Sequence, residues 1–333
     1  MTTAPTMMIP EMLLEHTAAR FPDFARDHLR LEPLEKGGSD RKYYRVSVAG
    51  AHSIILVQYG SQREENRHYV AIASFLDRAG VRVPRIYFHD EVAGLIWMQD
   101  LGEEDLWASR LEPWSVRRSL YHSALEQLLQ LHAGAMELLP EAGLTLQKEF
   151  TAELYEWEQE YFFENCLGRH FARDARDCDR APFRALAVAL AEKPRVLIHR
   201  DFQSQNIMIR GADAWLIDFQ GLRPGLPQYD LASLLYDPYV ILSEVEREEL
   251  LRHYLTLAAE TELPIGGDFH ATYYACAVQR LMQALGAYGF LGHVKGRADF
   301  LVHIPAALAS LRRVVAQIPA LQDFHAILET LPA

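Results

Sequence analysis

The sequence predicts an α+β protein of two unequal lobes, a small antiparallel sheet at the N-terminus and a larger, mostly helical part after it. Three observations predict this. β-type runs crowd into the first hundred residues, apolar residues recur at helical spacing from Trp114 onward, and the stretch VLIHRDFQSQNIMIRGADAWLIDFQ (196–220) sets short β-type runs around a dense group of polar side chains. The lobes are placed at 1–98 and 104–333, joined by a short connection at 99–103.

In chain order, residues 10 to about 30 carry Met12, Leu13, Ala18, Ala19 and Phe24 at helical spacing, with a break expected at Pro22. Strands are expected at 31–35, 43–48 and 53–58. Gly37 and Gly38 turn the first into the second, which suits an ordinary hairpin and equally a loop whose N–H groups meet phosphate oxygens. A helix over 62–79 follows, then strands at 85–89 and 94–98. Helical runs are expected at 114–138, 148–167 and 172–191, with β-type runs at 195–198 and 214–217. Pro224, Gly225 and Pro227 predict an irregular loop, and Asp230 stands where it could cap the next helix. The remainder reads as helices near 242–260, 267–289, 297–317 and 321–330.

Half of the 333 residues are hydrophobic, enough for a full core, and the net charge of −12 gives an acidic surface. Basic clusters are short, so nucleic-acid and anionic-membrane partners are not expected, and strongly anionic substrates are mildly disfavoured. Cys166, Cys178 and Cys276 lack metal-binding spacing and one would be left over from any pair, so they read as free thiols of a reducing cytoplasm. No apolar run is long enough for a membrane span, and the N-terminus does not read as a secretory signal. The expectation is a cytoplasmic protein, a monomer or weak homodimer.

The central stretch spaces its polar residues as H-R-D-x-x-x-x-N (His199, Arg200, Asp201, Asn206), followed by a short hairpin and Asp218-Phe219-Gln220. Each part stands at the end of an apolar β-type run, so these groups should meet in one cleft. Phosphoryl transfer asks for divalent metal to neutralise phosphate charge and a carboxylate near the attacking hydroxyl. Asp201 suits the second role, whereas Asn206 and Asp218 offer hard oxygen ligands for Mg²⁺. His199 suits a supporting hydrogen bond to the backbone. Gln203, Ser204 and Gln205 lie within the same loop and could reach a sugar hydroxyl.

Together with GGSDRKYYRV (37–46), GVRVPRIY (80–87), MQDLGEEDL (98–106), QYDLASLLYDPY (228–239) and VQRLMQALGAYGF (278–290), these residues make the chain resemble the aminoglycoside-phosphotransferase-like branch of the protein-kinase superfamily. Within it, the resemblance is to kinases that phosphorylate the anomeric hydroxyl of N-acetylmuramate and N-acetylglucosamine in cell-wall recycling. It implies a bilobal protein-kinase-like fold, a nucleotide-binding N-terminal lobe and a catalytic and substrate lobe. It also implies ATP and Mg²⁺ as cofactors and a small-molecule sugar as acceptor.

Gly37, Gly38, Ser39 and Arg41 would then face the phosphates, Gln99, Asp100 and Leu101 would form the adenine hinge, and Asp230 would brace the catalytic loop. The third strand, SIILVQYG, lacks the lysine of protein kinases at Val57 or Gln58, so Arg41 or Lys42 would replace it. Glu64 and Glu65 fall where the partner glutamate of that lysine stands. Arg280, in the late helical motif, could hold a carboxylate such as a lactyl group, or make a helix-surface ion pair. An aminoglycoside-type antibiotic phosphotransferase and a nucleotide-binding pseudokinase are the competing readings.

Overall fold

A computed structural model describes residues 8–22, 29–34, 41–48, 53–60, 65–174, 176, 178–264 and 266–332. Strands β1 (Leu29–Leu34), β2 (Lys42–Val48), β3 (Ser53–Gln58), β4 (Ile86–Asp90) and β5 (Leu95–Gln99) form an antiparallel sheet in the order β1-β2-β3-β5-β4. Alternation along the strands splits their side chains between two cores. Ile54, Leu56, Leu95 and Trp97 pack with Leu13 of helix α1 (Pro10–Arg20), while Ile55, Val57, Ile96 and Met98 join Tyr69, Ile72 and Phe75 of α2 (Glu65–Arg78). A sheet covered on both faces needs apolar residues at consecutive positions, as in SIILV. Helix α1 stops at Arg20, just ahead of the break expected at Pro22. Its Thr17 hydroxyl accepts a 2.9 Å hydrogen bond from the indole N–H of Trp97.

The second lobe is built from α3 (Trp114–Leu129), α4 (Ala135–Ala142), α5 (Ala152–Phe162), α6 (Ala181–Ala191), α7 (Pro227–Leu235), α8 (Glu244–Ala258), α9 (Phe269–His293), α10 (Ile304–Val315) and α11 (Gln322–Glu329). π-helical turns at Gln130–Gly134 and Phe163–His170 follow α3 and α5. Helix α9 is the buried axis of the lobe. A Cβ added at Gly286 would lie 2.9 Å from the Phe162 nitrogen, and one at Gly289 would lie 2.2 Å from the Asn165 oxygen, so both glycines are needed for α5 to lie this close to α9.

Two small two-stranded sheets accompany these helices. β6 (Val196–Ile198) pairs with β9 (Arg223–Gly225), and β7 (Ile207–Arg210) pairs with β8 (Asp213–Leu216). β9 corrects the expected irregular loop at 223–225. Pro224 lacks an N–H, but it sits in a short two-stranded pairing and its carbonyl accepts from Phe150 N at 3.1 Å. The helix expected from 172 begins only at Ala181, because the Asp179 carboxylate accepts from Ala181 N at 2.9 Å and Pro182 occupies the first turn.

The lobes are joined twice. After α2, Gln130 Nε2 donates to Ala79 O at 2.6 Å, Gln127 Oε1 accepts from Arg82 N at 2.7 Å, and Leu216 N donates to Arg82 O at 2.8 Å. After β5, Leu106 N donates to Ile207 O and Ile209 N to Glu104 O, both at 2.8 Å. Among the described residues, no helix is long and apolar enough to cross a membrane, and Cys166, Cys178 and Cys276 are buried and outside any disulfide.

Candidate active site

β6 delivers His199, Arg200 and Asp201 to the floor of an interlobe cleft of about 620 Å³, whose lining includes Arg41, Leu101, Asp201, Asn206, Asp218 and Arg223. The turn is held by Asp230, which is fully buried. Its Oδ2 accepts from His199 N at 2.7 Å, its Oδ1 accepts from Arg200 N at 2.8 Å, and His132 Nε2 approaches Oδ2 at 3.1 Å. His132 Nδ1 lies 2.8 Å from the Tyr254 hydroxyl. This clamp keeps Arg200 at φ 77°, a left-handed conformation that is costly for a residue with a side chain. The Asp230 carboxylate therefore serves the loop and not the N-terminus of α7. His199 Nε2 donates to Ile217 O at 2.9 Å, tying the start of the loop to the end of the second hairpin.

Asp201 lies between two guanidinium groups. Arg200 Nη1 donates to its Oδ2 at 3.0 Å, and Arg280 Nη2 stands 3.6 Å from its Oδ1. Burial would raise the Asp201 carboxyl, but the positive charges of Arg200, Arg280, His199 and Arg223 outweigh it and hold the group below its usual range. Arg280 is itself buried and further held by Ser233 Oγ, at 2.9 Å, and Gln283. It is a buried partner of Asp201 and not a helix-surface ion pair.

Behind this group, Glu158 of α5 is 1% exposed and accepts from the Tyr229 hydroxyl at 2.9 Å, while its Oε2 has no hydrogen-bond partner. Burial pushes its carboxyl up to about 7, against the pull of Arg200, the Tyr229 hydroxyl and Arg280. The folded state thus holds this proton more tightly than the unfolded chain, whose value is 4.5. The resulting stability is complete below 4.5 and is lost as pH rises toward 7. Glu158→Gln should match the parent at pH 4.5 and exceed it by about 3 kcal/mol at pH 8. Urea unfolding at the two pH values measures this, and an equal difference at both would refute it.

The opposite wall holds Asn206 and Asp218. Asn206 Nδ2 donates to Asp201 O at 2.9 Å, which leaves its Oδ1 as the free end of the amide. Asp218 Oδ1 accepts from Arg41 Nη2 at 3.1 Å and from Gln220 Nε2 at 2.8 Å, so Oδ2 has no donor among the described residues. Two unclaimed hard oxygens in one cleft fit a Mg²⁺ ion, which takes one or two carboxylates and keeps several waters. Among the described residues, no group of three or more His, Cys, Asp or Glu could form a fuller cage.

Val57 points toward α2, on the side where a kinase lysine would project, and Arg41 reaches Asp218 from the start of β2 while Lys42 is exposed. The Arg41 guanidinium lies 5.8 Å from the centre of the Tyr69 ring, and Tyr69 stacks on Phe219 at 4.8 Å. Tyr69 thus stands between the Arg41 cation and Phe219.

Gly37, Gly38, Ser39 and Glu64 lie outside the described residues, as does the side chain of Glu65. Of the hinge candidates, Gln99 N donates to Arg85 O at 2.8 Å and the Asp100 carboxylate is bound by Arg45 Nε at 2.7 Å. The N–H of Leu101 has no partner among the described residues and remains available to a ligand. Ser204, expected near substrate, is instead fully buried and donates from N and Oγ to Asp237 Oδ2, at 2.8 and 2.6 Å. Burial raises the Asp237 carboxyl despite those bonds. Gln205 lines the cleft, and Gln203 is partly exposed in the loop before it. Arg223, His132, Glu158 and Tyr69 were not singled out from sequence; the basic character of Arg223, five residues after Asp218, was the one available signal.

Residues 30–264 match the family described as "Phosphotransferase enzyme family". Two proteins named N-acetylmuramate/N-acetylglucosamine kinase are similar over most of their length. That of Pseudomonas aeruginosa is 28% identical over 309 residues, covering 91% of this chain and 88% of the relative. The Neisseria meningitidis protein is 25% identical over 297 residues, covering 87% of each. A solved choline/ethanolamine kinase family protein from Mesorhizobium loti superposes with a TM-score of 0.61 at 19% identity, covering 96% of this chain and 99% of that one. At that identity the likeness speaks for the protein-kinase-like fold alone.

Proposed function

Because this chain belongs to the phosphotransferase enzyme family, we propose that it transfers the γ-phosphoryl group of ATP to the anomeric hydroxyl of an N-acetylated amino sugar. The observation that carries the reading is the setting of Asp201, a carboxylate at the cleft floor kept ionised by Arg200 and Arg280. Such a carboxylate is a weak base, matched to an acceptor more acidic than an ordinary alcohol, and an anomeric hydroxyl is one. The names of the relatives point to the same acceptor.

In this reading Asp201 orients the sugar hydroxyl and takes its proton as the oxygen attacks the γ-phosphorus and the β–γ bridging oxygen leaves on ADP. Asn206 Oδ1 and Asp218 Oδ2 would hold Mg²⁺, which supplies charge neutralisation for the transferring phosphate. Arg41 faces the phosphates from the other lobe, and the Leu101 N–H meets the adenine edge. The segment 99–103 acts as the hinge between lobes 1–98 and 104–333, and Gln205 is the loop side chain placed to contact the acceptor.

The antibiotic-phosphotransferase reading is weakened by charge. Arg200 and Arg223 line the cleft beside Asp201, and a polycationic aminoglycoside would have to enter against them. A pseudokinase reading fits poorly with Asp201, Asn206 and Asp218 all opening on one cleft. The test is ATP consumption with Mg²⁺ on free N-acetylhexosamines, each paired with its 1-O-methyl glycoside, alongside several aminoglycosides. Turnover of free sugars but not their glycosides is expected; turnover of a glycoside or only of aminoglycosides would overturn the proposal.

A further inference from the structure

Arg223 is the one cleft-lining guanidinium whose terminal nitrogens have no protein acceptor among the described residues. It leaves β9 with Nε donating to Gly221 O at 3.2 Å, and its guanidinium carbon lies 5.4 Å from the centre of the Phe150 ring. One edge of the group is thus anchored and its charge lies within cation–π range of an aromatic ring, while Nη1 and Nη2 remain as an unused fork among the described residues. The other arginines near Asp201 are engaged, Arg200 by Asp201 and Arg280 by Asp201, Ser233 and Gln283. Arg223 and Arg200 line the same cleft, and the charge of Arg200 acts on the Arg223 guanidinium. Burial and then the neighbouring charge of Arg200 push the Arg223 guanidinium below its usual range, more than the attraction of Asp201 and Glu158 restores.

A rigid planar fork with two free N–H edges matches a carboxylate in two-point contact. N-acetylmuramate differs from N-acetylglucosamine by a lactyl ether that bears one carboxylate. Resting on the amino-sugar kinase reading above, we propose that Arg223 is the specificity residue that binds the carboxylate of an acidic amino sugar and favours it over the neutral one. The role offered to Arg280 passes here to Arg223, because Arg280 is buried beside Asp201, Ser233 and Gln283, whereas Arg223 lines the cleft.

The test is steady-state kinetics of the full chain and of Arg223→Gln and Arg223→Lys, with N-acetylmuramate and N-acetylglucosamine as alternative acceptors. Arg223→Gln should lower the ratio of kcat/KM for the acidic over the neutral sugar by about 30-fold, chiefly through KM of the acidic sugar. Arg223→Lys, which keeps the charge and loses the fork, should fall between. An equal loss on both sugars would place Arg223 at the phosphates or in the scaffold and overturn the inference, as would an unchanged ratio. Parent turnover of the neutral sugar alone would overturn it while leaving the kinase reading intact. Inertness of the parent toward both sugars would overturn the two together.

Discussion

Asp201→Asn should lower kcat by about 1,000-fold, the contribution of a positioned proton acceptor, with KM for ATP changed only a few-fold. The amide fills the same space between Arg200 and Arg280, so the fold should survive and the thermal midpoint should move by only a few degrees. In the parent, Arg200 and Arg280 keep the base ionised below the usual carboxylate range. Acidification through that range should therefore leave kcat nearly flat for as long as the protein stays folded. Full activity of Asp201→Asn, or a rate that falls with an ordinary carboxylate titration, would remove Asp201 from the reaction.

Replacing Asp230 with alanine should destabilise the protein by about 4 kcal/mol, because it strands two buried backbone N–H groups and the His132 ring at once. That corresponds to a drop of roughly 8 °C in the thermal midpoint. Activity should fall further than stability explains, since Arg200 would relax from its left-handed conformation and release Asp201. Scanning calorimetry gives the first quantity and turnover well below the new midpoint gives the second. A variant with the parent's midpoint would show that the clamp is dispensable.

The two sites differ in how far the sequence discloses them. His199, Asp201, Asn206 and Asp218 lie within twenty residues, and their spacing follows from local β geometry, so a linear reading can assemble them. Asp230 is visible as a helix-start residue, but the direction of its carboxylate depends on β6 and on His132, which lies in a helical run that looks like core. Arg223 escaped because the Pro and Gly around it signal a loop, whereas pairing with Val196–Ile198 across more than twenty residues makes it a strand. The acidic total of −12 likewise gave no sign that Arg41, Arg200 and Arg223 meet in the cleft among its aspartates, since net charge carries no position. The strands of the first sheet were legible as short apolar β-type runs, although their order was not. The π-helical turns were not, because their apolar spacing departs from that of an α-helix by one residue over a few turns.

The paired crossings at 79–82 and 104–106 bear on how the cleft can shut. One attachment would let the small lobe swing in any direction, but two fixed points leave a single line about which it can rock. Helix α2 ends at one of those points, and its fourteen residues reach back from it as an arm of about 20 Å. A rock of about 5° would carry the far end of that arm through about 2 Å. Tyr69, near that far end, and Arg41 beside it would travel with the arm while Asp218 stays with the floor, so the bond between Arg41 and Asp218 is the natural gauge of how far the jaw has closed.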